Sequence, residues 1–402
     1  MLPTLFRGIR TPPSPTFPIE APLRAELFGA DQLTRHAALL ASSHKVISGR
    51  GSNRLLTRLD ANEKVLRTFQ RETKALEASA RITPAGEWFL DNSYLIDEQI
   101  QMARRHLPRN YSRELPRLAN GPFKGLPRVY GIVIDLVSHL DAQIDTESLT
   151  SFFQSYQSIV PLKLGELWAV PIMLRLALIE NLQRIASLLL SARQDRRRAG
   201  HWIDRMQKVS EEDPTRVVTV VAEMAKADIP LSNSFVAEFC QRMIRQNRAL
   251  QFAQDWVEHK LSAEGRSIEQ LVHQESQMQA ANQVSVGNSI SSLRYLSATD
   301  WKTFVEELSV VDHTLRKDPA KIYSRMDFAT RDRYRHAIEA FSRYGTLPEN
   351  DVAEKAITMA ESAASISDAG DRKSHVGYYL IDEGKAMMEA AIKPRWPWKN
   401  IL

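Results

Sequence analysis

Residues 128–140 read RVYGIVIDLVSHL, and they set the class of structure. Val129, Ile132, Leu136 and Leu140 recur at the three- and four-residue spacing that lines one face of an α-helix. The same rhythm continues toward the C-terminus. It predicts helices at about 146–158, 164–193, 199–208, 214–227, 232–245, 248–263, 267–297, 299–314, 319–344, 349–365 and 371–391. Nowhere is an alternation of β-branched residues sustained, so strands are not expected. No fixed period stands out, although the succession of paired helices suits a helical array. The expected fold is all-α: a multi-helix array of packed helical hairpins with no significant sheet.

Upstream of Arg128 the chain is more irregular. Pro108 to Pro127 holds four prolines and two glycines and is expected to be a long loop, the kind of segment that is often functional in a compact domain. Before it, Thr83-Pro84-Ala85-Gly86-Glu87 has the form of a helix start, with Thr83 as N-cap and Pro84 in the first turn. A helical hairpin is expected from 31–47 and 53–80, punctuated by Gly49 and Gly51. Residues 1–22 hold six prolines and are expected to form a disordered arm. The implied organisation is an arm at 1–22, an N-terminal helical subdomain at 23–127, a main helical domain at 128–392, and a tail at 393–402.

Composition narrows the function classes. The chain has 402 residues, enough for two or three packed subdomains. Its 53 basic and 48 acidic residues leave a dispersed net charge of +5, which does not suit a nucleic-acid binder. One cysteine, Cys240, lies in the apolar context FVAEFCQRM and reads as a small core residue. It can form neither an intrachain disulfide nor a Cys/His metal site. The N-terminus lacks the apolar run of a secretory signal. The most apolar stretch, LWAVPIMLRLAL at 167–178, is interrupted by Pro171 and Arg175 and is too short to span a bilayer.

Several residue groups invite a chemical reading. Glu87, Asp91, Asp97 and Glu98 lie near one helix, and Glu166 and Glu180 on another. Glycoside chemistry needs two carboxylates across a sugar bond, but the spacing of these six does not show that any two converge. Trp88, Tyr94 and Trp168 could stack on sugars or pack between helices. His336 and His375 stand without a partner at motif spacing and read as structural. The run Arg193-Gln-Asp-Arg-Arg-Arg198 reads as a solvated helix end, and Gln283–Ile290 as a place of close helix approach or a kink. No Gly-rich phosphate loop, strand–loop–helix unit or paired-aspartate motif is found, so no cofactor, metal or catalytic residue is assigned.

Six blocks together resemble a known family: ITPAGEWFLDNSYLIDEQI (82–100), LPRNYSRELPRLANGPFKGLPRVYGI (107–132), PLKLGELWAVPIMLRLALIENLQRIA (161–186), QVSVGNSISSLR (283–294), DPAKIYSRMDFATRDRYRHAIE (318–339) and HVGYYLIDEG (375–384). Their order and wording are similar to the N-terminal region of cyclic β-1,2-glucan synthases, over roughly residues 20–390. Ser93 stands where an aromatic is usual, and Asp97 where Glu is.

The resemblance implies very large bacterial inner-membrane enzymes. They take glucose from UDP-glucose, build a β-1,2 chain on the protein itself and close it into a ring. A helical cytosolic region precedes the membrane spans and the catalytic domains. By this resemblance the chain is expected on the cytoplasmic side of the inner membrane, as a fragment, a split gene product or an excised region. Its expected role is a non-catalytic module that docks on or organises the downstream catalytic domains. A helical carbohydrate-active enzyme with a hidden carboxylate site and an unrelated helical adaptor remain the alternatives.

Within that reading, Tyr111 and Arg113 of the Pro/Gly-rich loop, with Trp88 and Tyr94, are candidate glucan or docking contacts. Tyr378 and Tyr379, an adjacent pair, are candidate acceptors of protein-linked glucan, with Tyr94, Tyr111 and Tyr130 as rivals. The tail KPRWPWKNIL at 393–402 has three basic residues, no acidic ones and two tryptophans, which suits a membrane interface.

Overall fold

In the computed structural model of the chain, the structure describes residues 20–47, 49, 51, 54–75, 82–107, 114–243, 250–366 and 371–394. Nearly all of the expected arm, Tyr111 and Arg113 in the loop, and residues 395–402 of the tail lie outside them.

The fold is all-α as expected. Among the described residues 77% are helical, with seventeen α-helices, and the only sheet is a ribbon of two short strands. The helices are α1 (Ala30–Ser43), α2 (Arg54–Lys74), α3 (Pro84–Asp91), α4 (Ser93–His106), α5 (Arg128–His139), α6 (Thr146–Gln157), α7 (Leu164–Glu212), α8 (Val217–Lys226) and α9 (Asn233–Met243). They continue with α10 (Gln251–Ala263), α11 (Ile268–Ala298), α12 (Trp301–Leu308), α13 (Val310–Leu315), α14 (Phe328–Tyr344), α15 (Glu349–Ala364), α16 (Val376–Ile381) and α17 (Lys385–Ile392). The ribbon pairs β1 (Val46–Ile47) with β2 (Arg117–Leu118) antiparallel.

Side-chain caps decide where several helices begin. Thr83 Oγ1 accepts from Gly86 N–H at 3.3 Å, as the sequence predicts. The expected single helix at 299–314 is instead two, because Ser309 turns extended and its hydroxyl caps α13 through Asp312 N–H at 3.1 Å. The expected start at 319 moves to Phe328, where Asp327 caps α14 through Thr330 N–H at 2.7 Å.

The opposite happens at 164–212. One 49-residue helix replaces the two expected at 164–193 and 199–208. The arginine run lies inside it rather than at a solvated end. Arg193 donates to Thr73 Oγ1 (3.1 Å), Arg196 to Glu275 (3.0 Å), and Asp195 accepts from Ser232 Oγ (2.7 Å). Those partners keep the run helical.

The chain forms two compact units. Of the described residues, one unit comprises those within 1–24, 57–101 and 178–291; the other comprises those within 25–56, 102–177 and 292–402. In the first, Ile203, Met206, Val220, Phe235, Phe239, Val257 and Leu261 form an apolar core that also takes in Cys240. Burial pushes the Cys240 thiol up to about 11, so it sits there as the small hydrophobe the sequence suggests. The parts of α7 and α11 that belong to this unit share a polar seam. Asn181, fully buried, donates to Ser285 Oγ and Ser289 Oγ, both at 3.1 Å, and accepts from Leu23 N–H at 2.9 Å. The small residues at 283–290 thus serve close approach, and α11 stays continuous through them.

In the second unit, α1 buries Leu33, Ala37 and Ala41, and α6 buries Leu149, Phe152, Phe153 and Tyr156. A further core joins Leu315, Tyr323, Ile338, Phe341, Val352, Ala356, Leu380 and Met388 from α13 to α17. Arg128 and Glu166, both buried, form a bidentate ion pair with Nε–Oε1 at 2.9 Å. No helix among the described residues is long and apolar enough to cross a membrane.

Candidate functional site

The last third of the second unit holds a cavity of about 780 Å³, walled by Tyr334, Ser374, His375, Gly377, Tyr378 and Asp382 among others. That volume is in the range of small-molecule sites, roughly 300–1,000 Å³. Its walls come from the turn after α13, from α14 and from the α16 region. Two of the blocks that carry the resemblance, 318–339 and 375–384, therefore meet here.

Asp318 organises the junction. Its side chain is fully buried. Oδ2 accepts from Ile322 N–H (3.0 Å) and Tyr323 N–H (3.3 Å), which folds the turn onto itself. Oδ1 accepts from Val376 N–H (3.1 Å) at the start of α16. Oδ2 also meets His375 Nδ1 at 2.8 Å. A carboxylate can only accept, so Nδ1 carries the proton, and Nε2 is left to accept from the Tyr334 hydroxyl at 3.1 Å. Burial alone would raise the Asp318 carboxyl, but the hydrogen bonds from His375 and the backbone outweigh it and hold it below the usual carboxylate range.

The order phenol, imidazole, carboxylate is that of an activated hydroxyl. Here, however, the hydroxyl at its head is a buried phenol. Burial first, and then the charges of Asp318 and Asp382, push Tyr334 up rather than down. The chain of bonds fixes a wall of the cavity. Two glycines make the close approach feasible. A Cβ at Gly377 would lie 2.7 Å from Tyr334 Cζ and 2.8 Å from His375 Nε2, and one at Gly384 would lie 2.6 Å from Tyr378 Cε1.

Arg331 and Arg335, also on α14, anchor a largely buried ionic network. Arg335, fully buried, donates to Glu306 (2.8 Å) and Asp312 (2.9 Å); Arg331 grips Glu306 through two bonds of 3.0 and 2.8 Å; and Tyr323 donates to Asp312 at 2.7 Å. At the mouth, Arg372 pairs with Asp382, and Ile322 and Ile381 stand exposed.

Of the residues singled out in the sequence, Tyr378 is half-buried in the cavity wall, whereas Tyr379 is buried with its hydroxyl donating to Met359 O at 3.2 Å. Trp88 and Tyr94 are exposed, at 39% and 81%, and lie in the first unit. Tyr111 and Arg113 lie outside the described residues, and Tyr130 is buried. The carboxylates Glu166 and Glu180 are held by arginines, Glu166 by Arg128 and Glu180 by Arg58 and Arg184.

His375 was legible only as a lone histidine, because its partners stand 57 and 41 residues away in sequence. A second cluster, His36, Asp135 and His139, gave no signal that sequence spacing could reveal across 99 residues.

No protein-family model matches the chain. The chain is 33% identical over 375 residues, 92% of its length, to the cyclic beta-(1,2)-glucan synthase NdvB of Rhizobium meliloti (strain 1021). It spans 13% of the length of that relative and matches its N-terminal region. By this identity the chain is a relative of the N-terminal region of the cyclic β-1,2-glucan synthases.

Proposed function

We propose that the chain is a non-catalytic helical module of cyclic β-1,2-glucan synthesis, which docks on or organises the downstream catalytic domains at the cytoplasmic face of the bacterial inner membrane. The observation that carries this is the alignment of nearly the whole chain with a small N-terminal part of a much larger synthase. The geometry agrees with it. Two of the six carboxylates named from the sequence, Glu166 and Glu180, serve as ion-pair partners of arginines. The cavity wall is fixed by a buried hydrogen-bond chain, and its mouth offers apolar side chains, Ile322 and Ile381, to whatever covers it.

The test is transfer of glucose from UDP-glucose by three preparations: this chain, the remaining domains of a synthase, and the two combined. No transfer by the chain alone and a higher rate on combination are expected. Transfer by the chain alone would overturn the reading and favour an enzyme with its own site.

Within this role Tyr378 is the tyrosine we assign to contact, and to accept, protein-linked glucan, since it lines the cavity while the Tyr379 hydroxyl is occupied. Trp88 and Tyr94 offer exposed rings for a second sugar or domain contact. Peptide mass spectrometry after incubation of a full synthase with UDP-glucose checks the assignment. Hexose ladders confined to peptides outside this chain would remove Tyr378 as acceptor.

A further inference from the structure

A cluster far in sequence from the cavity has the make-up of a metal site. His36 comes from α1, and Asp135 and His139 come from α5, one helical turn apart and so on one face. One ligand atom from each lies within 4.8 Å of the other two. His36 Nε2 and Asp135 Oδ2 already touch at 2.6 Å, and the two imidazole rings have centroids 4.6 Å apart. All three side chains are half-buried, neither sealed from solvent nor free in it.

The surroundings orient these groups as ligands are usually oriented. His139 Nδ1 meets the Glu26 carbonyl at 2.7 Å. A carbonyl can only accept, so Nδ1 bears the proton and Nε2 keeps its lone pair. Metal-binding histidines characteristically use their second nitrogen in this way. The Glu26 carbonyl is itself held, because Ala25 N–H donates to Ser138 O (3.0 Å) and Phe28 N–H to His139 O (3.2 Å). The Phe28 ring lies flat on His139, centroids 3.9 Å apart and planes 9° apart, and it also flanks His36 at 5.2 Å. The Phe28 ring thus covers one side of the cluster.

We propose that His36, Asp135 and His139 bind a divalent transition-metal ion of the zinc type, with the fourth position open to water. Two imidazoles and one carboxylate suit Zn²⁺ better than Mg²⁺ or Ca²⁺, which take oxygen ligands. Bonds of about 2.0–2.2 Å put the ligand atoms of a tetrahedral ion roughly 3.3 Å apart. The cluster's 2.6 Å contact and 4.8 Å limit bracket that value, so small side-chain rotations would complete the site. The ion takes the place between Nε2 and Oδ2 now filled by a proton. A solvent-mediated tautomer change moves that proton to Nδ1 of His36, with no net proton lost when the ring is neutral. The bound ion would lock α1 to α5 in the second unit.

The test uses the whole chain without a polyhistidine tag, stripped of metal by a chelator. Zn²⁺ is titrated in competition with a coloured chelator, and Co²⁺ is followed by its visible absorption. One equivalent of each is expected to bind, Co²⁺ with the intense bands of a four- or five-coordinate site. H36A, D135N and H139A should each weaken binding at least about tenfold, while H336A leaves it unchanged. The fold of each variant is checked without metal by circular dichroism. Should H139A fail to fold, H139Q, which fills the same space, replaces it. Zn²⁺ should also raise the thermal midpoint of the native chain and not that of H139Q. Absence of binding at about 100 µM Zn²⁺, or binding that survives all three substitutions, would overturn the proposal.

Discussion

Glu349 supplies the sharpest quantitative test of the fold. It is the first residue of α15 and is only 8% exposed, and its carboxylate accepts from Leu164 N–H, at the start of α7, at 2.8 Å. Burial pushes its carboxyl up from 4.5 to about 7; the Leu164 bond and the Lys163 charge oppose this, and the charges of Glu339 and Glu166 add to it. Between those two values the folded protein holds a proton that the unfolded chain has released. Stability from this group is therefore full below pH 4.5 and falls as pH rises through the window to about 7. At ~1.4 kcal/mol per pH unit, the loss comes to about 3 kcal/mol. E349Q removes the titration while keeping an oxygen for the Leu164 N–H. Urea unfolding of both proteins at about pH 4 and about pH 8 gives the relevant quantity, the difference between variant and native stability at each pH. That difference should shift toward the variant by about 3 kcal/mol on going to the higher pH. Any constant cost of fitting the amide cancels. A difference that does not change with pH would refute the reasoning.

Three further outcomes follow from buried contacts. G377A, whose Cβ would press on Tyr334 and His375, should lower the urea midpoint by the equivalent of roughly 1–3 kcal/mol, and adding Y334F should recover part of the loss by removing the crowded hydroxyl. E166Q strips the charge that pairs with Arg128, whose side chain is 4% exposed; it should cost about 3–5 kcal/mol by the same measurement. Asp318, held below its usual range, contributes stability that is full above the ordinary carboxylate value and is lost as pH falls through its lower folded value. D318N should therefore flatten the acid limb of the stability profile, which unfolding followed below about pH 4 would show.

The helices themselves were legible because each apolar face is local: Val129, Ile132 and Leu136 need no information beyond their own spacing. The Thr83 cap was legible for the same reason. Breaks and continuations were less so. Ser309 could continue a helix or cap the next one, and its extended backbone decides for the cap. The run at 193–198 could end a helix in water, but its partners Thr73, Glu275 and Ser232 come from elsewhere in the unit, and the helix continues through it. Each unit is assembled from three separated stretches, a pairing that helical periodicity does not encode. The cavity follows the same logic. Tyr378 could be named from its neighbour Tyr379, but their different surroundings could not, since the Met359 carbonyl that occupies one hydroxyl lies 20 residues away.

What the six blocks do physically narrows where function should be sought. Glu166 of one block pairs with Arg128 of another. Ser285 and Ser289 of a third satisfy Asn181, which lies in the same block as Glu166. Asp318 and His375 join the last two. Each is a buried polar contact between stretches distant in sequence, where loss of one partner leaves the other unpaid in low dielectric. Residues so engaged explain why these blocks specify one arrangement of helices, and they need no ligand to do it. Trp88 and Tyr94 belong to the blocks yet are exposed, and Tyr378 belongs to them yet faces a cavity. Packing does not account for an 81%-exposed tyrosine. Substitution at Tyr94 should therefore leave the unfolding midpoint unchanged, and an effect of that substitution on glucan synthesis by a full synthase would mark a contact surface rather than a weakened fold.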